Sequence, residues 1–198
     1  MPSLILASGS PRRKQLLMLA GFPIHSVCPP DIPEIRSTGE PPLDYVKRLA
    51  REKSEAVNAI DGWILAADTI VHRNVDIFEK PIDDADAMRM LTSLSGQWHK
   101  VTTAWYLRWS GPKKSSTGHR RLHGHSTSRV RFRPLQSIEI DRYIATGEGQ
   151  DKAGGYAIQG AGASLIDRVV GSTTNVVGLP LNPVSNALLK VGIIRETQ

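Results

Sequence analysis

The chain has a single cysteine, Cys28, which excludes an internal disulfide and a thiolate cluster for a metal. No apolar run approaches the roughly 20 residues of a membrane span, and no signal-peptide layout precedes the first strand pattern, so a cytoplasmic location is expected. The common nucleotide fingerprints are missing too. Only Gly9 stands where a dinucleotide turn needs three glycines, and no Gly-Lys-Ser/Thr ending marks a P-loop. Acidic residues are absent between Lys113 and Arg133, a stretch that holds Lys113, Lys114, Arg120, Arg121, Arg129, Arg131 and Arg133 together with His119, His123 and His125. Much of the net charge of +6 comes from this stretch, so overall basicity says little about a site. It also lacks the interleaved aromatics that stack bases, and its histidines have no carboxylate beside them, so a solvated tip is expected and no nucleic-acid partner.

What is present is ordinary globular composition, 40% apolar and 22% charged, over 198 residues. That length suits one domain, 1–198, with a substantial core and no internal repeat or linker. The opening run Leu4-Ile5-Leu6-Ala7, then SGSPRR from Ser8 to Arg13, then a leucine-rich segment predicts strand, tight loop and helix. Pro11 suits a first helical turn. The hydroxyls of Ser8 and Ser10, the free amides of that turn and the guanidinium groups of Arg12 and Arg13 would converge on one point that attracts phosphate. A plain N-cap followed by proline, with both arginines in water, fits the same letters.

Further on, a short strand is predicted over Ile24–Cys28 and an amphipathic helix over Leu43–Ile60. Lys53 lies there in the string Arg51-Glu52-Lys53, which by spacing alone reads as a solvated face. Trp63 to Val71 is a buried-strand pattern broken by one charge, Asp68. A carboxylate there is costly unless it is paired, binds a metal or faces a cleft; the plain alternative is an aspartate that merely ends the strand. A helix is predicted from Asp83 or Asp84, a strand over His99–Leu107 and a returning strand from Val130. The latter two imply a long antiparallel hairpin whose loose basic tip runs from Gly111 to Ser128. A short helix over Ser137–Thr146, a glycine-dense stretch around Gly149 to Gly162 and a last helix from Leu181 complete an α/β or α+β domain with a mixed sheet flanked by helices.

Taken together, LASGSPRRKQLL, REK, AADTIV, EKP, GEGQDKAGGYAIQGAG and GSTTNVVGLPL resemble the Maf family of nucleoside triphosphate pyrophosphatases, in its order and spacing over nearly the full length. The resemblance implies an ITPase-like fold and hydrolysis between the α- and β-phosphates with a divalent cation, Mg²⁺ or Mn²⁺. It also implies Asp68 as catalytic base, Ser8, Arg12, Lys53 and Lys80 as phosphate contacts, and Glu34 as a second metal-associated acid beside Asp68. Three local features, Arg13 in the loop, Thr69 after the strand and Gln159 in the late glycine stretch, are similar to the dTTP/UTP branch. The Gln159 amide can both donate to and accept from a pyrimidine edge. A homodimer is what the family suggests. The alternative is a non-catalytic nucleotide-sensing regulator of cell division.

Overall fold

The computed structural model describes residues 2–58, 61–111 and 117–194; Ile60, Lys113 and Lys114 fall outside them. The chain forms two compact units, each assembled from separate segments. The first comprises residues 1–68, 103–126 and 178–198. It carries β1 (Ser3–Ala7), α1 (Pro11–Leu19), β2 (Ser26–Val27) and α2 (Pro42–Glu55). The opening half of β3 (Gly62–Arg73) follows, and β1 runs parallel to both β2 and β3.

Strand alternation decides what each face of this parallel ladder buries. Leu4, Leu6, Trp63, Leu65 and Ala67 pack with Leu17 of α1 and with Val184 and Leu188 of the last helix. Ile5, Ala7, Ile64 and Ala66 pack with Val57, just past α2. A strand buried on both faces needs apolar residues at every position, which is why LILA and WILAA read as unbroken runs. The same parity puts Asp68 on the face of Ile64 and Ala66.

The second unit comprises residues 69–102 and 127–177. Here β3 pairs antiparallel with β4 (Asp76–Phe78), and α3 (Asp84–Leu94) follows, capped by the Asp83 carboxylate, which accepts from Asp86 N at 2.7 Å. Strand β5 (Trp98–Trp109) belongs to this unit as far as Thr102 and β6 (Arg121–Phe132) from Thr127 onward, and β7 (Ile166–Val170) pairs antiparallel with residues 129–132 of β6. Helix α4 (Ser137–Ile144) and the short α5 (Thr173–Val177) belong to this unit, and α6 (Leu181–Lys190) to the first. The core of the second unit gathers Val71, Leu91, Leu94, Val101, Val130, Phe132 and Tyr156.

The mixed sheet flanked by helices is the expected fold class. One expectation is corrected: the polar stretch up to Ser128 is not all loop. It is strand from Arg121, with Arg121, His123, His125 and Thr127 outward and Leu122, Gly124, Ser126 and Ser128 turned in. His123 stacks on Tyr106 of the neighbouring strand, ring centres 5.6 Å apart and planes 8° apart. An alternating strand needs only one apolar or small face, and here glycine and serine supply most of it, which hides the period.

Candidate active site

Helix α2 buries Val46, Leu49, Ala50 and Lys53, positions three to four apart on one stripe. Lys53 thus occupies a gap in an apolar face. The solvated-face reading of Arg51-Glu52-Lys53 holds for Arg51, which is exposed and pairs loosely with Glu55, and fails for Lys53, which is 9% exposed. Its ammonium donates to Asp68 Oδ1 at 2.5 Å and to Glu34 Oε1 at 2.9 Å. Asp68 does not end its strand. It is 5% exposed in the middle of β3, and the lysine offsets the cost of keeping it there.

The turn before α1 lies in the same unit. Ser8 is buried, and its hydroxyl accepts from Ser10 N at 3.2 Å and from Arg13 Nη1 at 3.1 Å. Arg13 Nε donates to the carbonyl of Gly178 at 2.8 Å. Ser10 occupies the cap position without a side-chain cap bond, so the ordinary serine cap is not what the sequence builds. Arg12 is half-buried on the same turn.

Charge and burial compete at this cluster. Burial pushes the Asp68 carboxyl above the ordinary aspartate value, Lys53 and Arg13 pull it down, and Glu34 adds a push upward; the net direction is up. Burial likewise pushes the Arg13 guanidinium below its ordinary value, while Asp68 and Glu34 hold it up against Arg12. The result is a protonatable carboxylate with cationic groups around it, an arrangement that can take a proton from water while offsetting negative charge on a substrate.

Ser8, Arg12, Arg13, Glu34, Lys53 and Asp68 therefore share one unit. Thr69, Lys80 and Gln159 belong to the other. Thr69 follows Asp68 on β3 and is half-buried; Lys80 and Gln159 are exposed. Glu79, next to Lys80, accepts from Gly154 N at 3.0 Å, which ties the EKP segment to the glycine-dense stretch.

Residue-by-residue reading of the sequence missed the group that fixes the loop of Glu34. Arg48 grips Glu40 through two bonds of 2.7 Å and the carbonyl of Ile35 at 2.9 Å. Tyr45 Oη donates to the carbonyl of Glu34 at 3.0 Å. Arg48 holds the Glu40 carboxyl at about 2, well below its usual range. Only the Arg48–Glu52 spacing of four on α2 hints at this in the sequence.

A basic turn at a helix start and a buried, lysine-paired carboxylate thus stand on one parallel α/β ladder. The family model for Maf-like proteins matches residues 3–191, and the chain belongs to that family. It is 45% identical over 193 residues to a dTTP/UTP pyrophosphatase of Geobacter sulfurreducens, covering 96% of this chain and 97% of that one. It is 46% identical over 195 residues to one of Sphingopyxis alaskensis (98% of each chain) and 46% identical over 185 residues to one of Thermus thermophilus (92% and 91%). Among solved structures, a nucleoside-triphosphatase (dITP/XTP pyrophosphatase) of Mycobacterium abscessus superposes with a TM-score of 0.41 at 13% identity, over 95% of this chain and 94% of that one.

Proposed function

We propose that the protein hydrolyses dTTP and UTP to the nucleoside monophosphate and diphosphate, removing them from the cytoplasmic nucleotide pool, and that it does so as a homodimer. The observation that carries this reading is Asp68, buried in mid-strand with a proton affinity raised by burial and with Lys53 and Arg13 beside it. A base works best when its proton affinity approaches the working pH, and burial moves a carboxyl in that direction. Relatives at 45 and 46% identity over nearly their whole length are named for this activity.

In the reaction so read, the oxygen of a water molecule bonds to the α-phosphorus, the bond from that phosphorus to the bridging oxygen breaks, and the water's proton passes to Asp68. The bridging oxygen departs with its electron pair on the diphosphate. Ser8, Arg12, Arg13 and Lys53 offset the phosphate charge, a role Lys80 shares, and Arg13, Thr69 and Gln159 select the pyrimidine.

Glu34 and Asp68 offer hard oxygen donors of the kind a divalent cation takes, and both carboxylates already share one cationic partner, the Lys53 ammonium. Glu34 and Asp68 would hold Mg²⁺ or Mn²⁺, which takes one or two carboxylates and leaves its other positions to water and phosphate oxygens. When bound, the cation neutralises charge developing on the phosphates.

Diphosphate release from a panel of nucleoside triphosphates tests the reading. The expected result is Mg²⁺- or Mn²⁺-dependent release from dTTP and UTP, with little from GTP or 7-methyl-GTP. Binding without diphosphate release would leave a nucleotide sensor instead, and full rate after chelation would remove the cation.

A further inference from the structure

The glycine-dense stretch is wrapped around a carboxylate of the chain itself. Glu148 accepts from Ala161 N at 2.8 Å and Gly162 N at 2.9 Å, and its Oε1 also takes the Tyr143 hydroxyl at 3.3 Å. That hydroxyl accepts from Ala157 N at 3.0 Å. Tyr143 is 4% exposed, so the arrangement stands on a core residue of α4. Ala161 and Gly162 lie in the short 3₁₀ turn Gly160–Leu165, whose first amides find no partner within the turn; the Glu148 carboxylate supplies one.

The carboxylate explains one glycine and contributes at a second. Gly160 adopts φ +74°, and a side chain there would run into Glu148. One at Gly162 would run into the Ala157 carbonyl first, and would also crowd Glu148 and the Tyr143 hydroxyl. The segment is therefore pinned at Ala157 on one side and at Ala161 and Gly162 on the other. Between the pins stands Gln159, exposed and extended, with φ −98° and ψ 160°.

We infer that Glu148, together with Tyr143, is a positioning residue for base selection, because it fixes the backbone from which Gln159 presents its amide. The inference rests on the proposed reading of Gln159 as the residue that meets the pyrimidine. An amide discriminates between bases only if its donor and acceptor ends are held in place, and a side chain on a loose loop adapts to either pattern.

The test compares kcat and KM for dTTP and GTP, by diphosphate release, in Gln159→Ala, Glu148→Ala, Glu148→Gln and the double variant Gln159→Ala/Glu148→Ala. Glu148→Ala should lower the dTTP:GTP ratio of kcat/KM about tenfold, through KM for dTTP, with kcat changed less than about threefold. Glu148→Gln keeps one acceptor oxygen and should recover most of the ratio. In the Gln159→Ala background, Glu148→Ala should move the ratio less than about twofold, because the residue it acts through is gone. Should Glu148→Ala fail to fold, Glu148→Gln and Tyr143→Phe carry the test, with Tyr143→Phe expected to lower the ratio about threefold.

Equal loss of kcat for both nucleotides at an unchanged ratio would show Glu148 to be a fold-keeping residue only and overturn the inference. If Gln159→Ala itself left the ratio unchanged, the reading of Gln159 would fail, a result told apart from the first by that single variant.

Discussion

Asp68 in the first unit and His99 in the second are both buried titratable groups, 5% and 2% exposed, and they have opposite surroundings. Asp68 faces opposite charge, with Lys53 at 2.5 Å and the Arg13 guanidinium near enough to pull on its proton. His99 sits edge-on to Phe132 and Tyr156, with ring centres 5.2 and 5.4 Å away. Its Nε2 meets the Tyr156 hydroxyl at 2.7 Å, and among the described residues its Nδ1 has no partner. The charges that act on it, Arg73 and His72, repel its proton, and burial together with them pushes it down to about 4. Burial perturbs both groups, so a shifted proton affinity does not by itself mark a site. The distinguishing feature is whether charges of the sign a reaction needs have been brought to the buried group.

The largest effect expected from that comparison is at Asp68. Asp68→Asn keeps shape and removes the proton acceptor, so kcat for dTTP should fall by a factor on the order of 10³ or more with the thermal midpoint preserved or raised, since an uncharged amide is cheaper to bury. A variant that kept most of its kcat would show that another group takes the proton. Next is Lys53→Met. Losing the ammonium lets burial push the Asp68 carboxyl further up, so the acid limb of the pH profile should move to higher pH while the rate near neutrality drops about a hundredfold. Part of that loss should return as the pH is raised. An unshifted limb would mean that Lys53 acts on phosphate alone.

How far these placements were legible in the sequence differs between the two residues. Asp68 was conspicuous because one charge interrupts a run that strand parity requires to be apolar on both faces. Lys53 was hidden among neighbouring charges, although its spacing of seven from Val46 and four from Leu49 places it on the buried stripe. The strand from Arg121 was illegible for a related reason: its inward face is built from glycine and serine as much as from leucine, so hydrophobic periodicity has little to report. The Glu148 clasp was invisible in principle, because the donors to its carboxylate are mostly backbone amides brought there by glycine conformations. Family resemblance supplied roles for Lys80 and Gln159 that local pattern did not.

His99 gives the middle-sized prediction. Its proton affinity falls from an ordinary 6.5 to about 4 on folding, so the neutral ring's contribution is complete above pH 6.5 and is lost as the pH falls toward 4. The difference corresponds to about 3 kcal/mol of stability over that window. His99→Gln keeps a hydrogen-bonding side chain without a titrating ring, so its urea-unfolding free energy should decline by about 3 kcal/mol less than the parent's between those pH values. Parallel decline in both proteins would show that His99 takes up its proton within the fold, and the contrast with Asp68 would then lose one of its terms.

The smallest expected effect lies at the edge of the charged cluster, where Arg48 holds the loop of Glu34 without touching Glu34's carboxylate. Its bonds to Glu40 are two-pronged and joined by one to a carbonyl, better geometry than most surface pairs, so Arg48→Ala should cost about 1 kcal/mol of stability. Freed from Ile35 and Glu40, the loop presents the Glu34 carboxylate less firmly, and the Mg²⁺ concentration needed for half-maximal rate should rise about threefold. The control is Glu34→Ala. In that background Arg48→Ala should leave the Mg²⁺ dependence unchanged, since the oxygen it positions is gone, while the stability cost persists. A further shift in Mg²⁺ dependence on top of Glu34→Ala would mean that Arg48 reaches the site by another route, most directly through Glu52 and the helix that carries Lys53.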